Sequence, residues 1–143
     1  MCEISRADGA RVLVVEDDPS AARFAEYVLG ALCGFAVTCT ADPEMALGLL
    51  AGQPWDVVVA DVELPRISGL GLLAAVREFA PDMPFVVMTA SLTAERAAAA
   101  RRLCADILLE KPVAPRRLAG AVAGLVAAAR GRGDAAPPRN PAS

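Results

Sequence analysis

Residues 57–61 read Val-Val-Val-Ala-Asp, with no polar side chain alternating among the apolar ones before the aspartate. A strand with one wet face alternates at period two, so a strand without that alternation is covered on both faces. Double coverage belongs to parallel sheets, whose strands are joined by helical crossovers lying over the faces. The same kind of run recurs as VLVVE at 12–16, PFVVMTA at 84–90 and ILLE at 107–110. FAVTCT at 35–40 is more mixed and so belongs nearer an edge.

The segments between these runs carry helix signals. Pro19 opens a helix over 20–33, which sets Phe24, Val28 and Leu32 on one face and stops at Gly34. Asp42 caps a second helix, with Pro43 at its first position, and Gly52 and Pro54 break it after Leu50. Further helices are expected over 68–79, over 93–104 and from Pro115 to Arg130. Five strands alternating with five helices imply right-handed crossovers and an α/β fold, a doubly wound five-stranded parallel sheet flanked by five helices. The domain occupies 10–130, after an N-terminal extension over 1–9. The Gly- and Pro-rich segment 131–143 reads as a disordered tail.

Composition removes several functions. A net charge of −3 without a basic stripe gives no pull towards nucleic acid, and Arg101–Arg102 and Arg116–Arg117 read as solvated helix faces. There is no histidine, and Cys2, Cys33, Cys39 and Cys104 form no CxxC pair, which argues against zinc, haem and histidine-assisted nucleophiles. The cysteines read as small core residues in a reducing cytosol. The opening MCEISRADGA is too polar for a signal peptide. The apolar run Leu118–Ala129 falls short of the about 20 residues that span a bilayer. A cytoplasmic protein with no membrane contact is expected. Trp55 reads as packing, and Gly120, Gly124 and Ala128 as either a close helix seam or simply alanine-rich helix.

In doubly wound sheets the functional crevice lies beyond the carboxyl ends of the strands. There the strands deliver Glu16-Asp17-Asp18, Asp61, Thr89-Ala90-Ser91 and Glu110-Lys111-Pro112. Converging carboxylates repel one another and raise each other's pKa unless cations offset them. Lys111 supplies one positive charge. A hard divalent ion, Mg²⁺ with Mn²⁺ as its substitute, would take oxygen ligands from Asp17, Asp61 and a backbone carbonyl. Metal, lysine and hydroxyl together suit a phosphoryl group, with Asp61 as its nucleophilic acceptor. Asp18 reads as a solvated loop acid, and Ser91 as either a helix N-cap or a site residue.

VLVVEDDPS, the acid in VVADVELPRISG, VVMTA and LLEKP together resemble the receiver domain of two-component response regulators. Asp61 follows Asp17 by 44 residues, Thr89 follows after 28 more and Lys111 after another 22. The resemblance implies a flavodoxin-like fold with strand order 2-1-3-4-5. It also implies that Asp61 accepts a phosphoryl group from a histidine of a partner kinase or phosphotransfer protein. Asp17 would bind Mg²⁺ directly, Glu16 through water, and Glu63 through its carbonyl. Thr89 and Lys111 would bond the phosphoryl oxygens, the small Ala90 would leave the approach open, and Pro112 would follow a cis peptide. Such a domain is no enzyme beyond promoting its own phosphorylation and dephosphorylation. It would signal through a protein target, or a second copy, across the fourth helix, fifth strand and fifth helix.

Two alternatives remain at this point. One is a receiver-like adaptor that works without phosphorylation; the other is a haloacid-dehalogenase-like phosphohydrolase. The second expects an acid pair spaced Asp-x-Asp with a threonine soon after, where this chain has Glu63 and Pro65. Glu63, two residues past the acceptor, would slow attack by water through its charge and bulk. At the switch position, where the family carries an aromatic residue, this chain has Leu108, which lacks a ring. Switching is therefore expected to run through displacement of residues 90–95. Adding beryllofluoride should move backbone amide resonances in the last two helices; changes confined to the site would refute that route.

Overall fold

Val57–Asp61 lies at the centre of a five-stranded parallel sheet and is buried at every position, as its unbroken apolar run requires. The computed structural model describes residues 9–135. Residues 1–8, with Cys2, and residues 136–143 of the expected tail lie outside the described residues. The chain runs β1 Arg11–Val15, α1 Pro19–Glu26 continuing as a π-helical segment Tyr27–Leu32, β2 Ala36–Thr40, α2 Pro43–Gly52 and β3 Val57–Asp61. It goes on through α3 Gly69–Phe79, β4 Phe85–Thr89, α4 Ala94–Arg102, β5 Ile107–Glu110 and α5 Pro115–Ala135. The strand order is β2-β1-β3-β4-β5, every pair parallel. This is the doubly wound arrangement expected, with the mixed strand β2 at an edge.

Strand alternation divides the core in two. Val12, Val14, Val57, Val59 and Val86 face one layer with Leu29 of the π-helical segment and Leu118 of α5. Leu13, Val15, Val58, Phe85 and Val87 face the other with Ala46 of α2 and Leu72 of α3. Each layer therefore holds apolar surface that no single element could bury alone.

Several local readings change. In the first helix the buried stripe is Ala25, Val28, Leu29 and Cys33, while Phe24 and Leu32 stay 36% and 48% exposed. The π-helical segment Tyr27–Leu32 packs more residues into each turn, so the i, i+4 step from Val28 to Leu32 drifts off the sheet; Phe24 lies ahead of that segment and is exposed for another reason. Asp18 is exposed, as expected, and is also the N-cap of α1, accepting from the Ala21 amide at 3.1 Å. Thr93, not Ser91, caps α4 through the Arg96 amide at 3.0 Å. Helix α5 runs five residues past Arg130, to Ala135. A Cβ added at Gly120 or Gly124 would meet nothing within 4 Å, so no helix seam closes there. Cys33 is buried and Cys39 half-buried, as expected for core thiols, and burial among Glu26 and Glu16 pushes the Cys39 thiol up to about 11. Cys104 is exposed at a positive φ of 60°, because it ends the turn after α4, where Arg77 holds the Cys104 carbonyl at 2.9 Å and that of Leu103 at 3.0 Å. Trp55 packs as expected, donating its indole N–H to the Leu49 carbonyl at 2.9 Å with the Arg11 guanidinium 4.6 Å from the ring.

One glycine positions the end of the central strand. A Cβ on Gly69 would lie 2.2 Å from the Asp61 carbonyl oxygen, and the Gly69 amide donates to the Val62 carbonyl at 3.0 Å. The start of α3 is thereby pressed against the backbone of β3. Gly69→Ala should lower the melting temperature by roughly 5 °C or more, since overpacking of this kind costs about 1–3 kcal/mol. Thermal denaturation followed by circular dichroism checks this, and an unchanged midpoint would contradict the tight approach.

Candidate functional site

Strand order reverses between β1 and β3, and the carboxyl ends of these two strands carry the acids. Glu16 follows β1 and Asp61 closes β3. Both are buried, at 3% exposure, whereas Asp17 beside them is exposed. Lys111, just after β5, reaches across the sheet end. Its Nζ donates to Glu16 Oε1 at 2.9 Å and to Asp61 Oδ2 at 3.0 Å. The other Glu16 oxygen accepts the Asp18 amide at 3.2 Å, so both Glu16 oxygens are hydrogen-bonded. The Lys111–Pro112 peptide is cis, as the family resemblance implied.

The electrostatics follow from burial. Desolvation pushes the Asp61 carboxyl from 3.8 up to about 6; Glu16 adds to the rise, and the Lys111 bond opposes it. Burial alone would lower the Lys111 ammonium, yet the bonds to Glu16 and Asp61 hold it above the ordinary lysine range. Glu16, Asp17 and Asp61 each offer a carboxylate oxygen, all within 4.8 Å of one another. Three carboxylates against one ammonium leave an excess of two negative charges. An all-oxygen donor set with that excess fits a hard divalent cation. Beside it opens a cavity of about 500 Å³, whose lining includes Glu16, Asp18, Phe24, Ala90, Lys111 and Pro112.

A second polar group lies next to this one. Thr89, fully buried at the end of β4, donates its hydroxyl to Glu63 Oε2 at 2.8 Å. The Ala90 amide lies 3.4 Å from Glu63 Oε1, and Arg96 Nη1 pairs with Glu63 Oε2 at 2.7 Å. Glu63 thus turns its side chain to Thr89 and Arg96. Burial would raise the Glu63 carboxyl, but the Thr89 hydroxyl, the neighbouring Asp61 carboxyl, the Ala90 amide and the Arg96 charge together pull it below the ordinary range. Arg96 escaped the sequence reading. The available signal was a cation in the first turn of a helix, where the backbone dipole disfavours it. Leu108 packs half-buried against the core layer of Val87 and Phe85, next to Val87 in register. Ser91 touches the group only through its backbone, its amide donating to Thr89 Oγ1 at 3.1 Å.

The chain belongs to the response regulator receiver domain family, whose model matches residues 12–123. Among its relatives is a transcriptional regulatory protein, QseB of Haemophilus influenzae, 32% identical over 116 residues, which cover 81% of this chain and 52% of that protein. Another is the probable transcriptional regulatory protein TcrX of Mycobacterium tuberculosis, 36% identical over 109 residues, 75% of this chain and 46% of that one. This chain thus spans about half the length of these two relatives. The receiver domain of Francisella response regulator 1452 superposes with a TM-score of 0.78 at 27% identity, covering 84% of this chain and 98% of that one. A CheY-like receiver from Methanospirillum hungatei shares the fold at a TM-score of 0.82 and 23% identity, covering 87% and 98%. No helix among the described residues is long and apolar enough to cross a membrane.

The raised Asp61 pKa has a stability consequence. With a folded value of about 6 against 3.8 ordinarily, the folded state holds the extra proton between those values. Stability from this group is therefore present below about pH 4 and lost as pH rises through 6. In chelator at pH 7–8, Asp61→Asn should melt roughly 3 °C or more above the wild type, with the gap closing towards pH 4. Magnesium should narrow the gap by stabilising the wild type selectively. A lower melting point for Asp61→Asn at neutral pH would contradict this account.

Proposed function

We propose that Asp61 accepts a phosphoryl group from the phosphohistidine of a partner kinase or phosphotransfer protein, and that the phosphorylated state changes this domain's protein contacts. The observation that carries the reading is the Lys111 ammonium lodged between buried Glu16 and Asp61, with exposed Asp17 alongside. A carboxylate oxygen of Asp61 would bond to phosphorus as the bond to the donor imidazole breaks. The electron pair returns to the imidazole nitrogen, which takes up a proton. Residues 1–143 contain no histidine, so the donor histidine would lie outside them.

Glu16, Asp17, Asp61 and the Glu63 carbonyl would hold Mg²⁺, or Mn²⁺ in its place. Such an ion supplies charge neutralisation for the phosphoryl oxygens. Lys111 orients the acceptor carboxylate and would follow it onto a phosphoryl oxygen, while the Thr89 hydroxyl and Ala90 amide would take the others. Charge neutralisation and alignment are what phosphoryl transfer asks of a protein. The domain, residues 10–130, would then act on no substrate but itself, promoting its own phosphorylation and dephosphorylation.

Receiver domains of response regulators work with histidine kinases, and a cytoplasmic kinase domain would be the donor here. The readout would be a protein target or a second copy engaged through α4, β5 and α5, without direct contact to nucleic acid or membrane. The relatives named as transcriptional regulators are longer than this chain, whose match covers 52% and 46% of them, which fits an output module in a longer protein. A phosphorylation-independent adaptor is the second reading, favoured by Leu108 and by the engagement of Thr89 with Glu63.

Incubation with acetyl phosphate and Mg²⁺ should add the mass of one phosphoryl group to the wild type and none to Asp61→Asn. Omitting the metal should cut the yield at least tenfold. Decay of the product in wild type and Glu63→Ala reads whether Glu63 slows hydrolysis. An unmodified wild type would favour the adaptor reading.

A further inference from the structure

The Glu63 carboxylate already engages two of the donors that a phosphoryl group on Asp61 would require. Its Oε2 accepts from Thr89 Oγ1 at 2.8 Å, and its Oε1 faces the Ala90 amide at 3.4 Å. A threonine hydroxyl has a single proton to donate. Thr89 Oγ1 also accepts from the Ser91 amide at 3.1 Å and from Arg96 Nη1 at 3.1 Å, so its one donation goes to Glu63. Thr89 can therefore bond Glu63 or a phosphoryl oxygen, not both.

Arg96 is tied to the same point. The oxygen that accepts from Thr89 also accepts from Arg96 Nη1, at 2.7 Å, and that nitrogen lies 2.7 Å from the Ser91 carbonyl as well. Any oxygen that replaces Glu63 Oε2 on the Thr89 hydroxyl comes within reach of the guanidinium. A phosphoryl group brings more charge than a carboxylate, and guanidinium binds phosphate oxygens well. Glu63 is 40% exposed at its side chain and can swing out to water at little cost. Nothing in the local helix favours Arg96 where it stands, because a cation in the first turn of α4 opposes the backbone dipole.

From this geometry we infer that Arg96 is a further phosphoryl-binding residue of the site, and that the Glu63 carboxylate holds its place until Asp61 is modified. The inference rests on the proposed role of Asp61 as phosphoacceptor. The exchange breaks the only ion pair recorded between the loop after β3 and α4 among the described residues. It also draws the first turn of α4 towards the acceptor. That gives α4 a response needing no aromatic ring at Leu108.

Titration with beryllofluoride at saturating Mg²⁺, followed by fluorine NMR, tests it with variants of opposite sign. Glu63→Gln should bind about tenfold tighter than wild type and Arg96→Ala about tenfold weaker. Arg96→Lys, which keeps the charge, should fall between Arg96→Ala and wild type. In the wild-type protein, the Arg96 guanidinium resonances should shift on addition of the probe; this arm needs no substitution and stands even if Arg96→Ala fails to fold. Arg96→Ala binding as tightly as wild type, or Glu63→Gln binding no tighter, would overturn the inference while leaving the phosphoacceptor intact. If wild type and Glu63→Gln both fail to bind beryllofluoride, or Asp61→Asn binds it equally well, the phosphoacceptor reading falls and the inference with it.

Discussion

The ammonium of Lys111, held between two buried carboxylates, is the interaction on which the site depends. Glu16 and Asp61 lie at neighbouring strand ends, out of water, where two unpaired anions would each carry a heavy desolvation cost. One cation shared between them, at 2.9 and 3.0 Å, makes the pair tolerable without making it neutral. Asp17 adds a third acid at the rim. The residual negative charge, together with the elevated Asp61 pKa, describes a site held short of electrostatic balance. Such imbalance costs stability and is a common feature of sites that must bind an ion or undergo chemistry.

The second polar group solves a different problem. Thr89 is fully buried and must donate its hydroxyl proton somewhere. Without a phosphoryl group the Glu63 carboxylate meets that need, and Arg96 neutralises the carboxylate in turn. The two groups share a border at residues 61 to 63, one strand end and one turn apart. The Glu63 amide lies 3.4 Å from Asp61 Oδ1, so a change at Asp61 falls directly beside Glu63. Mechanical linkage to α4 then follows from an ion pair rather than from a rotating ring. Leu108, packed into the core layer beside Val87, has no polar tip with which to take part.

Much of this was readable before any coordinates. Apolar runs without alternation implied a sheet covered on both faces, and the cap at Asp42 stood at its expected helix start. The acids and the lysine at the strand ends came together because parallel strands deliver all their carboxyl ends to one edge. Other features were hidden. The π-helical segment rotates the buried face of the first helix by an amount that no i, i+4 count reveals. Gly69 reads as an ordinary glycine until its missing Cβ is placed 2.2 Å from the Asp61 carbonyl oxygen. Arg77, whose guanidinium binds four carbonyls from the turns at 80–83 and 103–104, looks in sequence like any surface arginine.

What the linear chain determined by itself was the class of fold and the identity of the charged groups at its rim. Both depend on local period and on strand ends, which are properties of neighbouring residues. What only the folded molecule decided was which donor meets which acceptor. Thr89 and Arg96 reach Glu63, from residues 26 and 33 positions away, through side-chain rotamers and a loop path that no local pattern encodes. Hydrogen bonds are directional and short, so a displacement of about an ångström decides the partner. Burial of apolar surface is non-directional, and for that reason its consequences could be read from composition and spacing alone.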